Sequence, residues 1–279
     1  MKIESFTRKG INPFNEDRLV ANHSAAVFGV LDGCSSIEKF RGQNGETGGY
    51  LAANILGNEL EKITASESMI DAVKSANLKI EQRMIEEKID IGSKDKRWGT
   101  VFAVVKIFEH SVEYIQIGDC MAFAVYRSGE IRPLTISQVS HLEIRSLLKW
   151  KEAIERGYTS PQELSKYTAP IVRENRKKSN TYDGYGVLNG EPEALQLVEY
   201  GKINRTELKD IVLISDGLVW PEKDPIQSVD WGKSVNSILE KGLESYAESI
   251  LQIENEDPDC QTYIRLKKSD DKTGLVLTF

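Results

Sequence analysis

The sequence predicts an α+β fold in one domain over residues 1–279, and three observations carry that expectation. Residues 98–108, 112–117 and 120–126 read as strands, through period-two alternation or continuous β-branched runs. The connections at Glu109-His110-Ser111 and Gly118-Asp119 are so short that all three strands are expected to pair antiparallel. Ahead of them, apolar residues recur at helical spacing in two stretches: Leu51, Ile55, Leu56 and Leu60, then Ile70, Val73, Ile80, Met84 and Ile85. No repeat, low-complexity linker or shift in composition divides the chain.

In chain order, Asn15-Glu16-Asp17 precedes a short strand at 18–21. The apolar run Ala25–Leu31 suits a buried strand that stops at Asp32-Gly33, and a polar loop at 35–47 leads to helices from about residue 51 and over 67–89. Residues 137–180 read as helical and charged, with Pro161 in a first turn after Ser160 and Pro170 near a break; 137–185 is a candidate flap or insertion. Residues 184–190 are loop-like and 194–198 a strand. A second apolar run, 210–214, leads to Asp216-Gly217. One long amphipathic helix is expected over 231–254, and Asp270-Asp271 opens a terminal strand.

A hydrophobic content of 40% is ample for a core. The net charge of −7, with Lys and Arg scattered apart from a cluster at 173–178 that reads as a solvated helix face, argues against a nucleic-acid footprint. No apolar run approaches the roughly 18–20 residues that span a bilayer, and the first residues lack a signal-peptide core, so a soluble cytoplasmic protein is expected. Cys34, Cys120 and Cys260 are far apart, which suits a reducing compartment and suggests neither disulfides nor zinc. No exposed apolar face stands out from the core stripes, so a monomer is expected.

Six acids stand at predicted strand boundaries: Glu16, Asp17, Asp32, Asp119, Asp216 and Asp270. Alone, each reads as an ordinary turn residue. Gathered in a low-dielectric pocket they would repel one another, and a divalent cation is the usual remedy. Oxygen-only donors favour magnesium or manganese, and Gly33 leaves its carbonyl free to face the same cation as Asp32. Two such ions make a bound water nucleophilic enough for in-line attack on phosphorus, which is phosphoester hydrolysis without a covalent intermediate.

The ordered pieces Asn15-Glu16-Asp17, Phe28-Gly29-Val30-Leu31-Asp32-Gly33, Trp98-Gly99-Thr100-Val101, Ile117-Gly118-Asp119-Cys120, Leu213-Ile214-Ser215-Asp216-Gly217 and Asp270-Asp271-Lys272-Thr273 resemble the protein phosphatase 2C family of metal-dependent serine/threonine phosphatases, from about residue 3 to the C-terminus. The resemblance implies a four-layer α-β-β-α sandwich, two antiparallel sheets flanked by helices, with two Mn2+ or Mg2+ ions at one end. It also implies hydrolysis of phosphoserine and phosphothreonine in phosphorylated protein substrates, in a signalling role.

By position, Asp32 would bridge both ions, the Gly33 carbonyl would bind one, and Asp216 and Asp270 the other. Glu16 with Asp17 would hold metal-bound waters, and Asp119 matches the residue that recruits a third, looser metal. Asp270 is preferred to Asp271 because the family motif places its ligand three residues before the Thr or Ser. Two departures stand out. Cys34 occupies the position where many members have a general-acid histidine, and Asn12 the position of the usual phosphate-binding arginine, for which Arg8 and Lys9 are the candidate replacements. Cys34 and Arg41 are one residue too far apart for a cysteine-phosphatase loop. The missing arginine motivates one alternative, a catalytically weak member acting as a metal-dependent phosphoprotein-binding or regulatory module.

Overall fold

The computed structural model describes residues 1–227 and 229–279, with two five-stranded antiparallel sheets face to face between helical layers. One sheet runs β2 (Arg18–Asn22), β3 (Val27–Cys34), β4 (Gly99–Ile107), β5 (Ser111–Ile117), β8 (Glu199–Asn204). The other runs β1 (Lys2–Arg8), β10 (Lys272–Thr278), β9 (Leu208–Ile214), β6 (Met121–Tyr126), β7 (Ile131–Pro133).

Side chains alternate across each strand, and that period of two builds the layers. Phe28 and Val30 of β3 join Val101, Ala103, Ala122, Ile211, Leu213 and Leu275 in the core between the sheets. Val27 and Leu31 instead pack with α1 (Gly48–Lys62) and α2 (Met69–Glu86). On the opposite side Phe123, Val212, Ile214 and Val276 bury their side chains against α5 (Trp231–Lys241) and α6 (Leu243–Glu256). Thr47 and Ser68 cap the first pair of helices by accepting the N–H groups of Tyr50 and Ile70. The four-layer α-β-β-α sandwich follows.

The helical reading of 137–180 resolves into a hairpin, α3 (Ser140–Glu155) and α4 (Pro161–Arg176). It has a small core of its own, Trp150, Ala153, Leu164 and Cys260, fixed by a 3.0 Å bond from the Trp150 indole N–H to the Cys260 carbonyl. Ser160 and Glu163 form a reciprocal capping box at its second helix. Among the described residues, no helix is long and apolar enough to cross a membrane.

Four expectations are corrected. β5 and β6 do not pair: the chain passes from one sheet to the other at Gly118, whose φ of +87° suits glycine, and where a Cβ would lie 2.2 Å from Val101. The long helix over 231–254 is two helices, separated at Gly242 with φ +84°. Residues 192–196 form a 3₁₀ turn and the strand begins at Glu199. Pro170 lies inside α4 and does not end it. Lys2–Arg8, whose polar residues hid any alternation, is an edge strand.

Pair registers place the acid-bearing segments together. Arg18 pairs with Leu31, so the start of β2 lies beside the end of β3. Gly274 and Met121 both pair with Ile214, so the starts of β10 and β6 flank the end of β9. Asp32 pairs with Val101, and Phe102 with Ile117, which brings the end of β5 to the same edge.

Candidate active site

Asp32 continues the inward-facing alternation of Phe28 and Val30, so its side chain enters the cleft between the sheets where the core runs out. Its own carbonyl accepts the Thr100 hydroxyl at 2.8 Å. The Gly33 turn presses on the first turn of α1: a Cβ on Gly33 would lie 2.4 Å from the Gly49 carbonyl, and one on Gly49 2.5 Å from the Gly33 carbonyl. Only glycine at both positions permits that approach.

Asp17 and Glu16, just before β2, are buried and oriented by hydroxyls. Ser215 donates to Asp17 Oδ2 at 2.7 Å and accepts the Thr273 N–H at 3.0 Å, joining three chain segments at one oxygen. Ser35 donates to Glu16 Oε1 at 2.5 Å, and the Asn12 amide donates to Oε2 at 3.4 Å. The adjacent acids near the C-terminus divide their work. Asp271 accepts the backbone N–H groups of Gly10 and Glu16, both at 2.7 Å, and is buried. Asp270 instead pairs with Lys267 and faces the other acids. A buried ion pair, Lys272 with Glu254 at 2.8 Å, fixes the segment from behind, the same ammonium donating to the Asp270 carbonyl at 3.0 Å.

Crowding shows in the electrostatics. Burial, then Asp216, Asp17, Asp270 and Asp119, push the Asp32 carboxyl well above its usual range. Asp216 is pushed up by burial and by Asp270 and Asp119. Asp17 rises to about 7 and Asp119 to about 6, burial leading in both. Glu16 is raised, mainly by burial. Cys34 is held far up as a neutral thiol by burial and by Asp32, which removes it as a nucleophile.

Sequence reasoning missed three groups here: Lys267 and Glu143 act on the acids, and Arg176 reaches the turn after Asp32. The Lys267 ammonium pairs with Asp270 and is held charged by Asp270, Asp216 and Asp32 against the cost of desolvation, while 46% of its side chain stays open to solvent. Glu143, in the first turn of α3, is raised by desolvation and by Asp119 and Asp270; its exposed outer surface screens that shift. Arg176, in the last turn of α4, donates to the Ser35 carbonyl at 2.8 Å. Charge at 173–178 was legible, but not that one of its residues reaches 141 positions back. Of the two candidate phosphate-binding residues, Arg8 pairs with Glu248 at 2.5 Å and Lys9 donates to the Pro13 carbonyl at 3.4 Å.

A carboxylate-rich cleft at one end of a two-sheet, four-layer sandwich narrows the family, and the family model of protein phosphatase 2C matches residues 11–257. The chain belongs to the protein phosphatase 2C family.

Solved protein phosphatase 2C-type structures share the whole architecture. Serine/threonine phosphatase Stp1 from Staphylococcus aureus is 17% identical with a TM-score of 0.59, over 100% of this chain and 94% of that one. The Mycobacterium tuberculosis phosphatase PstP/Ppp is 16% identical with a TM-score of 0.59, over 99% and 97%. A catalytic domain of PstP in complex with 2 manganese ions is 16% identical with a TM-score of 0.58, over 99% and 96%. At such identities the likeness establishes the fold. Among curated proteins, none matches the sequence.

Protein phosphatase 2C enzymes are metal-dependent, and the residues present fit a hard cation. Asp17 Oδ1 and Asp216 Oδ1 are buried with no hydrogen-bond partner. Uncompensated carboxylate oxygens of this kind suit manganese or magnesium. Among the described residues, no group of three acidic, histidine or cysteine side chains is arranged to hold one ion, and Lys267 is paired with Asp270.

Proposed function

We propose that the protein is a phosphoprotein phosphatase that hydrolyses phosphoserine and phosphothreonine at the cleft between its sheets. The observation that carries this reading is the convergence of Asp17, Asp32, Asp119, Asp216 and Asp270, from five separate chain segments, on one desolvated edge of a protein phosphatase 2C fold. Asp32, the Gly33 carbonyl, Asp216 and Asp270 are the residues that would hold two Mn2+ or Mg2+ ions, and Asp119 a third. Bound there, the ions supply a water of lowered pKa and neutralise the charge of the phosphate.

The chain's own groups do the rest. Ser215 fixes Asp17 and Ser35 fixes Glu16, so each presents one set of carboxylate lone pairs to orient the attacking water. Asp17, held by Ser215 through one oxygen, keeps the other for the attacking water. Cys34 is a neutral thiol with no charged-acid role, which leaves solvent water to protonate the departing alkoxide. The α3–α4 hairpin borders the cleft as a flap, with Glu143 and Arg176 on its inner side.

The test is turnover of a phosphothreonine peptide with manganese present. Turnover that stops with chelator and is lost in Asp32→Ala and Asp216→Ala supports the enzyme. Tight binding of the peptide without turnover favours a phosphoprotein-binding module instead, a reading motivated by Asn12 in place of an arginine.

A further inference from the structure

We propose that Arg176, on the hairpin helix α4, is the residue that binds the substrate's phosphate, a part that the uncharged Asn12 does not play. The inference rests on the phosphatase reading and adds to it the residue that recognises the anion.

Position comes first. The Arg176 guanidinium donates to the carbonyl of Ser35 at 2.8 Å, and the hydroxyl of that same Ser35 donates to Glu16 at 2.5 Å. Ser35 lies three residues after Asp32, on the turn that follows β3. The guanidinium is thereby anchored on the turn that carries the central carboxylate. Its other close neighbours are the Cys34 thiol and the Tyr185 hydroxyl.

Availability comes second. Among the described residues Arg176 has no carboxylate within ion-pair distance, whereas Arg8 is paired with Glu248, Lys267 with Asp270 and Lys272 with Glu254. Arg173, one turn earlier on α4, lies 3.8 Å from Asp95. A guanidinium has five N–H donors in a planar fork, and its contacts to Ser35, Cys34 and Tyr185 leave donors for phosphate oxygens. The half-buried setting of Arg176 strengthens such a bond relative to one made in open water.

Need comes third. The divalent ions and Lys267 offset the charge of the acids, but a directional fork for the phosphate's outer oxygens has to come from an arginine at the border of the cleft. Asn12 offers only an amide, already directed at Glu16. Because Arg176 sits on the flap, phosphate binding also ties the hairpin to the cleft, and a sequence change in the hairpin acts on KM before it acts on the chemical step.

The experiment pairs calorimetric titration of inorganic phosphate, manganese present, with kinetics on a phosphothreonine peptide, for the full chain and for Arg176→Gln and Arg176→Lys. The Gln side chain keeps a donor for the Ser35 carbonyl but no charge. Loss of a charged hydrogen bond corresponds to roughly 10- to 100-fold. Arg176→Gln is expected to weaken phosphate binding and raise KM by at least about tenfold, with kcat changed far less and the melting temperature kept; Arg176→Lys recovers part of both. Unaltered phosphate affinity and KM in Arg176→Gln overturn the proposal, as does equal loss in both variants with a lowered melting temperature, which marks a structural strap. If the wild type binds phosphate through Arg176 but turns over no peptide, the phosphatase reading fails and this assignment stands. If the wild type binds no phosphate, this assignment fails whatever the turnover.

Discussion

Asp271 Oδ2 accepts the backbone N–H of Glu16 at 2.7 Å, a bond between residues 255 positions apart, while its other oxygen takes the N–H of Gly10. Both oxygens are committed, so Asp271 shapes the segment that carries Glu16 and Asp17, and its neighbour Asp270 is the one turned to the cleft. Asp271→Ala leaves two backbone donors without their acceptor and is expected to cost about 3 kcal/mol in urea unfolding with chelator present. Asp270→Ala costs little under those conditions and instead weakens manganese binding by calorimetry. The reverse pattern exchanges the two roles.

Lys267 is a cation placed among acids that a metal would otherwise neutralise. Lys267→Met is expected to lower the melting temperature of the chelated protein and to tighten manganese binding, since no ammonium then competes for Asp270. The calorimetric affinity is the deciding readout. Weaker manganese binding in the variant contradicts competition.

The raised acids set the pH response of the metal-free protein. Asp17 moves from 3.8 to about 7 and Asp119 from 3.8 to about 6, with Asp32 and Asp216 shifted in the same direction. Each is an acid that holds its proton more tightly folded than unfolded, so above about pH 4 the unfolded chain binds fewer protons and stability falls as pH rises. The loss continues through about pH 6 for Asp119 and about pH 7 for Asp17. Melting temperature in chelator is therefore expected to drop between about pH 5 and pH 8, and manganese to restore most at the alkaline end. A flat or rising profile in chelator contradicts the crowding.

What the sequence disclosed tracks the range of the forces involved. Local periodicity revealed α2, β4 and β5 to within a few residues, and Pro161 after Ser160 opens α4 as expected. The family motifs marked Glu16, Asp17, Asp32, Asp119, Asp216 and Asp270, and the fold has each of them at or next to a strand end. Long-range choices were hidden: the passage between sheets at Gly118 depends on which neighbour β6 finds, and that is β9, more than 80 residues later. The division at Gly242 is a single positive φ inside an unbroken amphipathic pattern. Arg176 and Lys267 escaped notice because a charged side chain on a polar stretch has the same sequence signature whether it meets water or an acidic cleft. Their partners, Ser35 and Asp270, are disclosed only by the fold.

The central claim is that the acidic strand ends form one metal centre, and anomalous diffraction from crystals grown with manganese addresses it without any assay. The account predicts two peaks flanking the Asp32 carboxylate, each about 2.1 Å from its oxygen ligands, with the Gly33 carbonyl, Asp216 and Asp270 in contact with them and Lys267 withdrawn. Absence of any peak within about 3 Å of Asp32 at saturating manganese, or ions held by Asp271 in place of Asp270, would contradict it.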